Sequence, residues 1–438
     1  MLTTHETFDG VRGAVITPDS PDYPEAARTP LGDSRPAVVL RPRDVDDVRR
    51  AVRAAAADGR PVAVRGGGHS FARLGTVDDG LVIDLAALDG VRLVGSDRVV
   101  VGGGATWGAV AQALAPHGLA ISSGDTASVG VGGLLLSGGI GWMVRAHGLA
   151  LDRLVSAQVV TAAGDLVTAS AEERPDLFWA LRGGGGGTAV VTEVELAAAP
   201  VTTLTFGTLT FRAAEAAEVL AGWATHMRHA PRALSSTVRL ANPFAGGVDA
   251  PVEITVAALG AEGATAVEPL RRLGTLLSDG VAERPYVDIL EPGAALPPGL
   301  RLTVRSGFVA PHRADDAVAE VAALAASPQP AAIVLHALGG AVADVPADAT
   351  AYSHRDAELM VTTFAGGPAA AFDGVLAGVD GVWSRLAPHV QGSYRNFLDD
   401  TSPEAMAATH SAATQRRLAE IRASYDPDGV LGRVGRAR

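Results

Sequence analysis

Glycine is concentrated in the first half of the chain. Of 52 glycines in all, the densest groups form four clusters, which are Gly66–Gly68, Gly102–Gly104, the stretch 129–141 and Gly183–Gly187. Glycine is needed where the backbone adopts positive φ or must approach another group closely, and successive main-chain amides in such loops bind phosphates. We therefore expect a large phosphate-bearing ligand in this half. No cluster is a G-x-G-x-x-G that follows a strand, so a Rossmann dinucleotide site is not predicted.

The stretch "GGGHSFARLG" (66–75) permits two interpretations. Its middle part, "GHSFA", is similar to the G-x-S-x-G turn of α/β-hydrolases, in which a helix directly follows the nucleophilic serine. Here the last position is Ala72, and the following "LGTVDDGLVIDL" is typical of a loop and then a strand. We therefore reject Ser70 as a nucleophile and expect His69 to lie against a bound cofactor.

Composition excludes several kinds of chemistry. Cysteine and lysine are both absent, which excludes disulfides, zinc-thiolate sites, a Walker A lysine and Schiff-base catalysis. The net charge of −12, without basic clusters, argues against a nucleic-acid partner. No apolar run is long enough to span a membrane, and the start "MLTTHETFDGVRG" lacks the basic and apolar regions of a secretion signal. We expect a cytoplasmic protein.

One histidine pair has a spacing that could bind a metal. His226 and His229 lie three residues apart in a predicted helix, but no third ligand is evident beside them. We therefore predict an exposed helix face there, and no metal site.

The strand and helix patterns predict an α+β fold with two domains and a tail. Residues 1–200 combine short strands, such as "AVVLRP" and "PVAVRGG", with amphipathic helices and glycine loops. In residues 201–390, strand patterns alternate with long helices, which favours an antiparallel sheet with helices on one face. Residues 391–438 form a polar tail. Within the tail, "GSYRNF" is interpreted as a strand with Tyr394 and Asn396 on one face.

Several of these stretches together resemble a known family. "PVAVRGGGHSFARLGTVDDGLVIDLAAL" and "SGDTASVGVGGLLLSGGIG" are similar to the flavin-binding segments of vanillyl-alcohol-oxidase-type (PCMH-type) FAD-linked oxidoreductases, in particular the berberine-bridge-enzyme-like branch. "RPDLFWALRGGGGGTAVVTEVEL", "YRNF" and "YDPDGVLG" continue the resemblance in family order. It implies a PCMH-type FAD-binding domain at 1–200, a substrate domain at 201–390, and a segment at 391–438 that returns to the FAD domain.

The resemblance implies FAD as the cofactor, bonded to His69 through the 8α-methyl group of the isoalloxazine ring. Some members form a second bond from a cysteine whose place here is Thr126, so we expect a single covalent link, through His69. Beside His69, the residues that the resemblance assigns to FAD binding are Arg65, Gly66, Gly67, Gly68, Ser70, Thr126, Gly130, Val131, Gly132, Gly133, Gly138, Gly139, Gly141, Gly186, Val191 and Asn396.

Two tyrosines are the candidates for the catalytic base. By resemblance, Tyr394 faces the substrate, and Tyr352 precedes a strand that lines the pocket. An unperturbed phenol titrates near pH ~10, so a basic tyrosine needs a partner that lowers its pKa. His354 and Arg355, beside Tyr352 in sequence, are candidates for that partner.

The function implied by the resemblance is that of an FAD-dependent oxidase. It would transfer hydride from an alcohol, hemiacetal or sugar, amine or natural-product intermediate to the histidine-linked flavin, and O₂ would reoxidise the flavin with release of H₂O₂. A second hypothesis is an oxidative or redox-neutral cyclisation or rearrangement in secondary-metabolite biosynthesis. A third is a binding protein with a vestigial site, which the retention of His69 and Tyr394 argues against. The partners expected are a small-molecule substrate and O₂, in a monomer or homodimer.

Overall fold

The computed structural model describes residues 8–240, 250–326 and 330–431. It confirms the predicted α+β fold, with three main sheets and helices packed against them. The expectation about a secretion signal rests partly on residues 1–7, which lie outside the described residues. In the described part of the chain, no helix combines the length and apolar character needed to cross a membrane.

The strands are numbered in chain order. They are β1 Ala14–Ile16, β2 Arg28–Thr29, β3 Gly32–Asp33, β4 Val38–Arg41, β5 Val62–Arg65, β6 Leu81–Asp84, β7 Val91–Val94, β8 Arg98–Gly102, β9 Leu119–Ala120, β10 Leu154–Val160, β11 Leu166–Ser170, β12 Val190–Ala197, β13 Ala199–Pro200, β14 Thr203–Phe211, β15 Leu234–Leu240, β16 Val252–Ala258, β17 Leu276–Asp279, β18 Ala282–Pro285, β19 Leu300–Val309, β20 Ala332–Ala337 and β21 Leu359–Pro368. The α-helices are Tyr23–Ala26, Val45–Ala57, Trp107–Leu114, Val131–Ser137, Val144–His147, Pro175–Leu181, Ala216–His229, Gly260–Ala266, Ala314–Ala325, Ala341–Asp344, Phe372–Leu386, Pro403–Ala407 and Ala412–Tyr425.

The first sheet has the order β1-β4-β6-β5, with β6 parallel to both β4 and β5. Helix Val45–Ala57 connects β4 to β5, and the carboxylate of Asp44 caps its start by accepting from the Asp47 N–H. Its buried face is spaced at helical intervals, at Val48, Ala51, Val52 and Ala55. This connection brings the end of β5, and the glycine loop that follows it, to the edge of a rigid unit.

The second sheet is antiparallel, in the order β11-β10-β12-β8-β7. Strands β10 and β11 form a hairpin, with Val160 paired to Leu166 across the turn. The core beside this sheet contains Trp107, Leu135 and Phe178. Segment 129–141 and helix Val131–Ser137 therefore rest on a packed support.

The third sheet has eight antiparallel strands, in the order β17-β14-β16-β15-β20-β21-β19, with β18 also paired to β14. Helices Ala216–His229, Ala314–Ala325 and Phe372–Leu386 share one core with the apolar residues of one sheet face. Because side chains alternate along a strand, the opposite face carries a separate set of residues. The predicted antiparallel sheet with helices on one face is confirmed.

The tail returns to the first half of the chain. Helix Ala412–Tyr425 packs on helix Pro175–Leu181 through Leu418, Ile421 and Trp179. The prediction of a strand at "GSYRNF" is wrong, since Arg395–Phe397 is a 3₁₀ turn and Tyr394 is the extended residue before it. The domain boundaries at residues 200 and 390 stay predictions.

Candidate active site

A cavity of about 1370 Å³ lies between the glycine-rich loops of the first half and the helix-free face of the eight-stranded sheet. Sites for drug-sized ligands usually span about 300–1,000 Å³, so this cavity has room for a larger ligand. Its lining combines glycine backbone on one side with strand side chains on the other.

Two glycine loops meet in backbone-to-backbone contact at the cavity wall. A Cβ on Gly67 would lie 2.5 Å from the nitrogen of Gly130 and 2.7 Å from the carbonyl oxygen of Ser128. A Cβ on Gly130 would lie 2.3 Å from the nitrogen of Gly67. Only glycine permits this approach, and Gly68 also adopts a φ of +74°. The loops form a cradle in which main-chain groups line the cavity.

His69 projects from this cradle into the cavity. Its Nε2 lies 2.9 Å from Ser128 Oγ, and its Nδ1 makes no hydrogen bond to any described residue. Burial lowers the pKa of His69, so the imidazole is neutral at neutral pH. A neutral imidazole carries one nitrogen lone pair that can form a bond.

The Ser70 side chain, next to His69, makes a local hydrogen bond and is not placed at the start of a helix as a nucleophilic serine would be. Its Oγ accepts a hydrogen bond of 3.1 Å from the Leu74 N–H, and turns follow it in place of a helix. The geometry agrees with the rejection of a hydrolase site.

The cavity gathers most of the predicted site residues. Those that line it are Gly66, Gly67, Gly68, His69, Ser70, Thr126, Gly130, Gly132, Gly133, Gly141, Gly186, Val191, Tyr394 and Asn396. The remaining five are not among the lining residues, and they are Arg65, Val131, Gly138, Gly139 and Tyr352. Val131 is fully buried in the core of the second sheet, so its side chain faces away from the cavity.

Arg65 supports the cradle from beneath. Its guanidinium donates to Asp84 Oδ2 at 2.9 Å and to the carbonyl of Ala26 at 2.6 Å, and both charged side chains are 5% exposed. Arg41 donates to the same carboxylate oxygen at 3.0 Å. The Arg65 guanidinium is therefore paired within the protein, and the role in FAD binding that the resemblance assigns to Arg65 stays a prediction.

The Tyr394 ring lines the cavity, but its hydroxyl faces the loop 138–140. The oxygen accepts from the N–H groups of Gly139 at 2.9 Å and Ile140 at 3.2 Å, and from Asn396 Nδ2 at 2.9 Å. Burial raises the pKa of the Tyr394 phenol, against the opposing effect of these donors. A phenol oxygen with three N–H neighbours has no free direction for a substrate hydroxyl.

Tyr352 is buried behind Tyr394. A Cβ on Gly138 would lie 3.2 Å from the Tyr352 ring and 2.9 Å from that of Tyr394, so both rings press on this glycine. The Tyr352 hydroxyl has no hydrogen-bond partner among the described residues. Burial raises the pKa of Tyr352 well above its ordinary value. The predicted partner Arg355 forms a paired hydrogen bond with Asp152.

The eight-stranded sheet supplies a wall that the sequence patterns did not identify. One row of directly paired residues crosses four strands in the order Thr208, Thr255, Thr237, His336, and all four line the cavity. Beside the row, Arg239 pairs with Glu253 across the strands at 4.0 Å. A period-two count along each strand would have placed these side chains on the face opposite the helices.

His336 has a distinctive position in that wall. Its ring lies 6.1 Å from Phe397, which contacts Phe364 and Phe71 at centroid distances of 5.5 and 6.2 Å. Neither ring nitrogen bonds to a described residue, and Nε2 is buried. Burial lowers the pKa of His336 to about 4, against an opposing effect of the Asp125 carboxylate. His336 is therefore a neutral polar group of the cavity lining whose ring bonds to none of the residues that the structure describes.

Within the described ranges, no three His, Asp or Glu side chains are grouped so that they could hold a metal ion. His226, one of the pair with metal-like spacing, has its Nε2 2.8 Å from the carbonyl oxygen of Ala266.

Known proteins match both the sequence and the fold. Residues 36–170 match the family model described as "FAD binding domain". The chain is 29% identical to an "Uncharacterized FAD-linked oxidoreductase YgaK" of Bacillus subtilis, over 96% of this chain and 95% of that one.

Two solved structures have a similar fold. 6-Hydroxy-D-nicotine oxidase of Arthrobacter nicotinovorans superposes with a TM-score of 0.86 at 25% identity, over 98% of each chain. A glucooligosaccharide oxidase of Acremonium strictum, described with a 6-S-cysteinyl, 8α-N1-histidyl FAD, gives a TM-score of 0.82 at 26% identity, over 97% of this chain and 96% of that one.

Residues 36–170 match an FAD-binding domain, and the chain has the fold of the PCMH-type FAD oxidases. It is similar along nearly its whole length to an FAD-linked oxidoreductase, it is an enzyme of that kind, and FAD is its cofactor. The residues present fit that cofactor, because the glycine cradle leaves main-chain groups facing a cavity larger than a drug-sized ligand needs.

Proposed function

We propose that this protein is an FAD-dependent oxidase whose flavin is bonded to His69 and whose substrate is a small molecule with an alcohol, hemiacetal or amine group. The observation that carries the proposal is His69, which stands on the glycine cradle, has an Nδ1 that bonds to no described residue, and faces a polar wall across the cavity. When bound, FAD accepts hydride from the substrate carbon and passes two electrons to O₂, which forms H₂O₂.

The protein's own residues hold the two reactants on opposite sides. The cradle at Gly67 and Gly130 holds the cofactor through main-chain groups. The row of threonine hydroxyls on the sheet binds the polar groups of the substrate. Phe364 and Phe397 keep water from the space between them.

His336 is the better candidate to accept the substrate's proton. An alcohol that loses hydride must also lose the hydroxyl proton to a group within hydrogen-bond reach. The oxygen of Tyr394, the base predicted from the sequence, is surrounded by N–H donors that leave no direction for a substrate hydroxyl. His336 lines the cavity, is neutral, and has no hydrogen-bond partner among the described residues; since Nε2 is buried, Nδ1 is the nitrogen that would accept the proton. We assign proton acceptance to His336, and to Tyr394 the positioning of the loop 138–140.

Two relatives support a substrate of this class. The matched proteins include an oxidase named for 6-hydroxynicotine, an amine, and one named for glucooligosaccharides, which carry a hemiacetal. Both are oxidases of small molecules with a polar reacting group.

Attachment of the flavin is tested with acid. The purified protein is expected to be yellow, to retain its flavin after acid precipitation, and to give a fluorescent band on denaturing electrophoresis. His69→Ala should release its flavin into the supernatant, while His226→Gln, on an outer helix, should behave as the parent. Flavin in the supernatant of the unmodified protein would contradict the covalent link.

Oxidase activity is tested first without a substrate. Photoreduced protein is expected to reoxidise rapidly in air with release of H₂O₂. When NAD⁺ is added in the absence of air, the flavin should stay reduced. Glucooligosaccharides, 6-hydroxynicotine and aromatic alcohols are then screened by anaerobic flavin bleaching. Product formation without H₂O₂ would favour the cyclisation or rearrangement hypothesis, and slow reoxidation in air would overturn the oxidase proposal.

A further inference from the structure

Ser128 is the one side chain that hydrogen-bonds the His69 ring in the described part of the chain. The distance from Ser128 Oγ to His69 Nε2 is 2.9 Å. This contact joins two segments that are 59 residues apart in sequence and belong to the two loops of the glycine cradle.

The backbone on either side of Ser128 is fixed. The carbonyl of Ala127 accepts from the Gly108 N–H at 2.8 Å, and the carbonyl of Val129 accepts from the Trp107 N–H at 3.0 Å. The Ala127 N–H donates to the carbonyl of Glu291 at 2.6 Å. The Ser128 hydroxyl is therefore held at a set place relative to the cradle, and His69 is oriented by it.

Space for the hydroxyl depends on a glycine from another part of the chain. Gly293 has a φ of +81°, and a Cβ there would lie 2.2 Å from Ser128 Oγ. Any larger residue at this position would press on the hydroxyl. The contact between Ser128 and His69 therefore depends on three separate segments.

We propose that Ser128 is the positioning residue for flavin attachment, because it holds His69 in the tautomer whose Nδ1 can form the bond. This inference rests on the proposed covalent link at His69. When Ser128 Oγ accepts from Nε2–H, the lone pair of the neutral imidazole lies on Nδ1. In the other tautomer, Nδ1 carries the proton and cannot form the bond.

The attachment reaction balances with O₂ as the oxidant. His69 forms one N–C bond to the 8α carbon, and one C–H bond of the methyl group and one imidazole N–H bond are lost. The two electrons and two protons released leave as H₂O₂ after transfer to O₂. Nε2 ends the reaction without its proton, so the Ser128 hydroxyl can then donate to it, since a hydroxyl both donates and accepts.

The test compares Ser128→Ala, Ser128→Thr and the parent, with Ser156→Ala on strand β10 as a matched serine control. Each full-length protein is produced in flavin-depleted cells so that it is purified without FAD, and it is then supplied with FAD in air and sampled over time for acid-stable flavin. We expect attachment about tenfold slower in Ser128→Ala, the usual effect of one lost hydrogen bond. Ser128→Thr, which keeps the hydroxyl, should restore the rate. Non-covalent FAD binding should be equal in all four proteins.

A second variant tests the same contact without changing Ser128 or His69, in case Ser128→Ala folds poorly. Gly293→Ala leaves both Ser128 and His69 in place but displaces the hydroxyl, and it should slow attachment in the same way. Attachment in Ser128→Ala within about twofold of the parent, too small a change for a lost hydrogen bond, would overturn this role for Ser128. Absence of acid-stable flavin in the parent would instead overturn the proposed link at His69.

Discussion

The two walls of the cavity are built in different ways. On the first-half wall, the contacts are made by backbone, and Gly67 and Gly130 approach each other more closely than any side chain would permit. On the sheet wall, side chains such as Thr237 and His336 project from alternate strand positions. A wall of backbone constrains residue type and leaves a pattern in the sequence. A wall of side chains accepts almost any residue, which leaves room for substrate specificity to vary.

The largest effect is expected from substituting glycines of the cradle. A glycine that contacts protein backbone should respond differently from one that faces the ligand. Gly67→Ala would place a Cβ 2.5 Å from the nitrogen of Gly130, so we expect FAD binding to be lost and the unfolding free energy to fall by about 1–3 kcal/mol. Gly133→Ala meets nothing within 4 Å and replaces a helical glycine, so stability should be kept or raised by up to about 1 kcal/mol.

Thermal melts and flavin content of the two variants are the measurements. Loss of FAD from Gly133→Ala with an unchanged melt would mean that the cofactor occupies the space beside Gly133. Normal FAD content and normal stability in Gly67→Ala would contradict the cradle.

The sheet wall is tested through the proton acceptor. His336→Gln keeps a polar side chain but removes the base, and we expect flavin reduction by an active donor to slow by about 10²–10⁴-fold. Tyr394→Phe should slow it by less than tenfold, because the phenol oxygen faces the loop 138–140. Anaerobic stopped-flow measurement decides between them, with His226→Gln as the control. A reversed order would restore Tyr394 as the base.

Arg65 tests whether a charged residue next to the cradle acts on the ligand or on the fold. Arg65→Met removes one partner of the buried Asp84 carboxylate, which keeps Arg41 at 3.0 Å. We expect the unfolding free energy to fall by about 3 kcal/mol, the lower end for a broken buried pair, and FAD to bind normally in the folded protein. Urea denaturation and flavin content test this, and lost FAD at unchanged stability would show a ligand contact instead.

Much of the fold could be predicted because local patterns determined it. The helix Val45–Ala57 follows from its cap at Asp44 and its apolar spacing, and the hairpin β10–β11 from two strand patterns around a glycine turn. The segment "GSYRNF" was not predictable in this way. Its 3₁₀ turn is held by tertiary contacts, such as Ser306 Oγ with the Tyr394 N–H at 2.9 Å, which have no local signal.

The glycine clusters predicted the cradle, but not every glycine in them faces the ligand. Gly104 packs against the carbonyl of Leu85, where a Cβ would lie 1.8 Å away, and Gly183 packs against the backbone of Tyr352. These glycines serve contacts within the protein. Sequence alone does not separate the two uses, since both need a missing Cβ. The role proposed for His336 could not be predicted from the sequence, because a histidine in a strand has no motif around it.

The smallest expected effect compares a buried histidine from each wall as the pH falls. His336 belongs to the sheet, and His410 contacts the carbonyl of Gly183, from a glycine cluster of the first half, at 2.9 Å. Burial lowers the pKa of each to about 4, whereas an unfolded histidine titrates near ~6.5. Between these values the unfolded chain binds more protons than the folded one, so stability falls as the pH drops from about 6.5 towards 4.

Each histidine should contribute about 1–3 kcal/mol to that loss, because a tenfold change in proton affinity between the folded and unfolded states corresponds to ~1.4 kcal/mol. His336→Gln and His410→Gln should each reduce the dependence of the unfolding free energy on pH between about 6.5 and 4. Above pH ~7, any change in stability should come only from altered packing. Urea denaturation of the flavin-loaded protein at a series of pH values measures both. Ligand binding stabilises only the folded state. A substrate analogue that bonds to neutral His336 should therefore increase the loss of unfolding free energy at low pH in the parent and in His410→Gln. It should not do so in His336→Gln. An equal response in all three proteins would show that the analogue does not contact His336, and the sheet wall would then need another substrate-facing group.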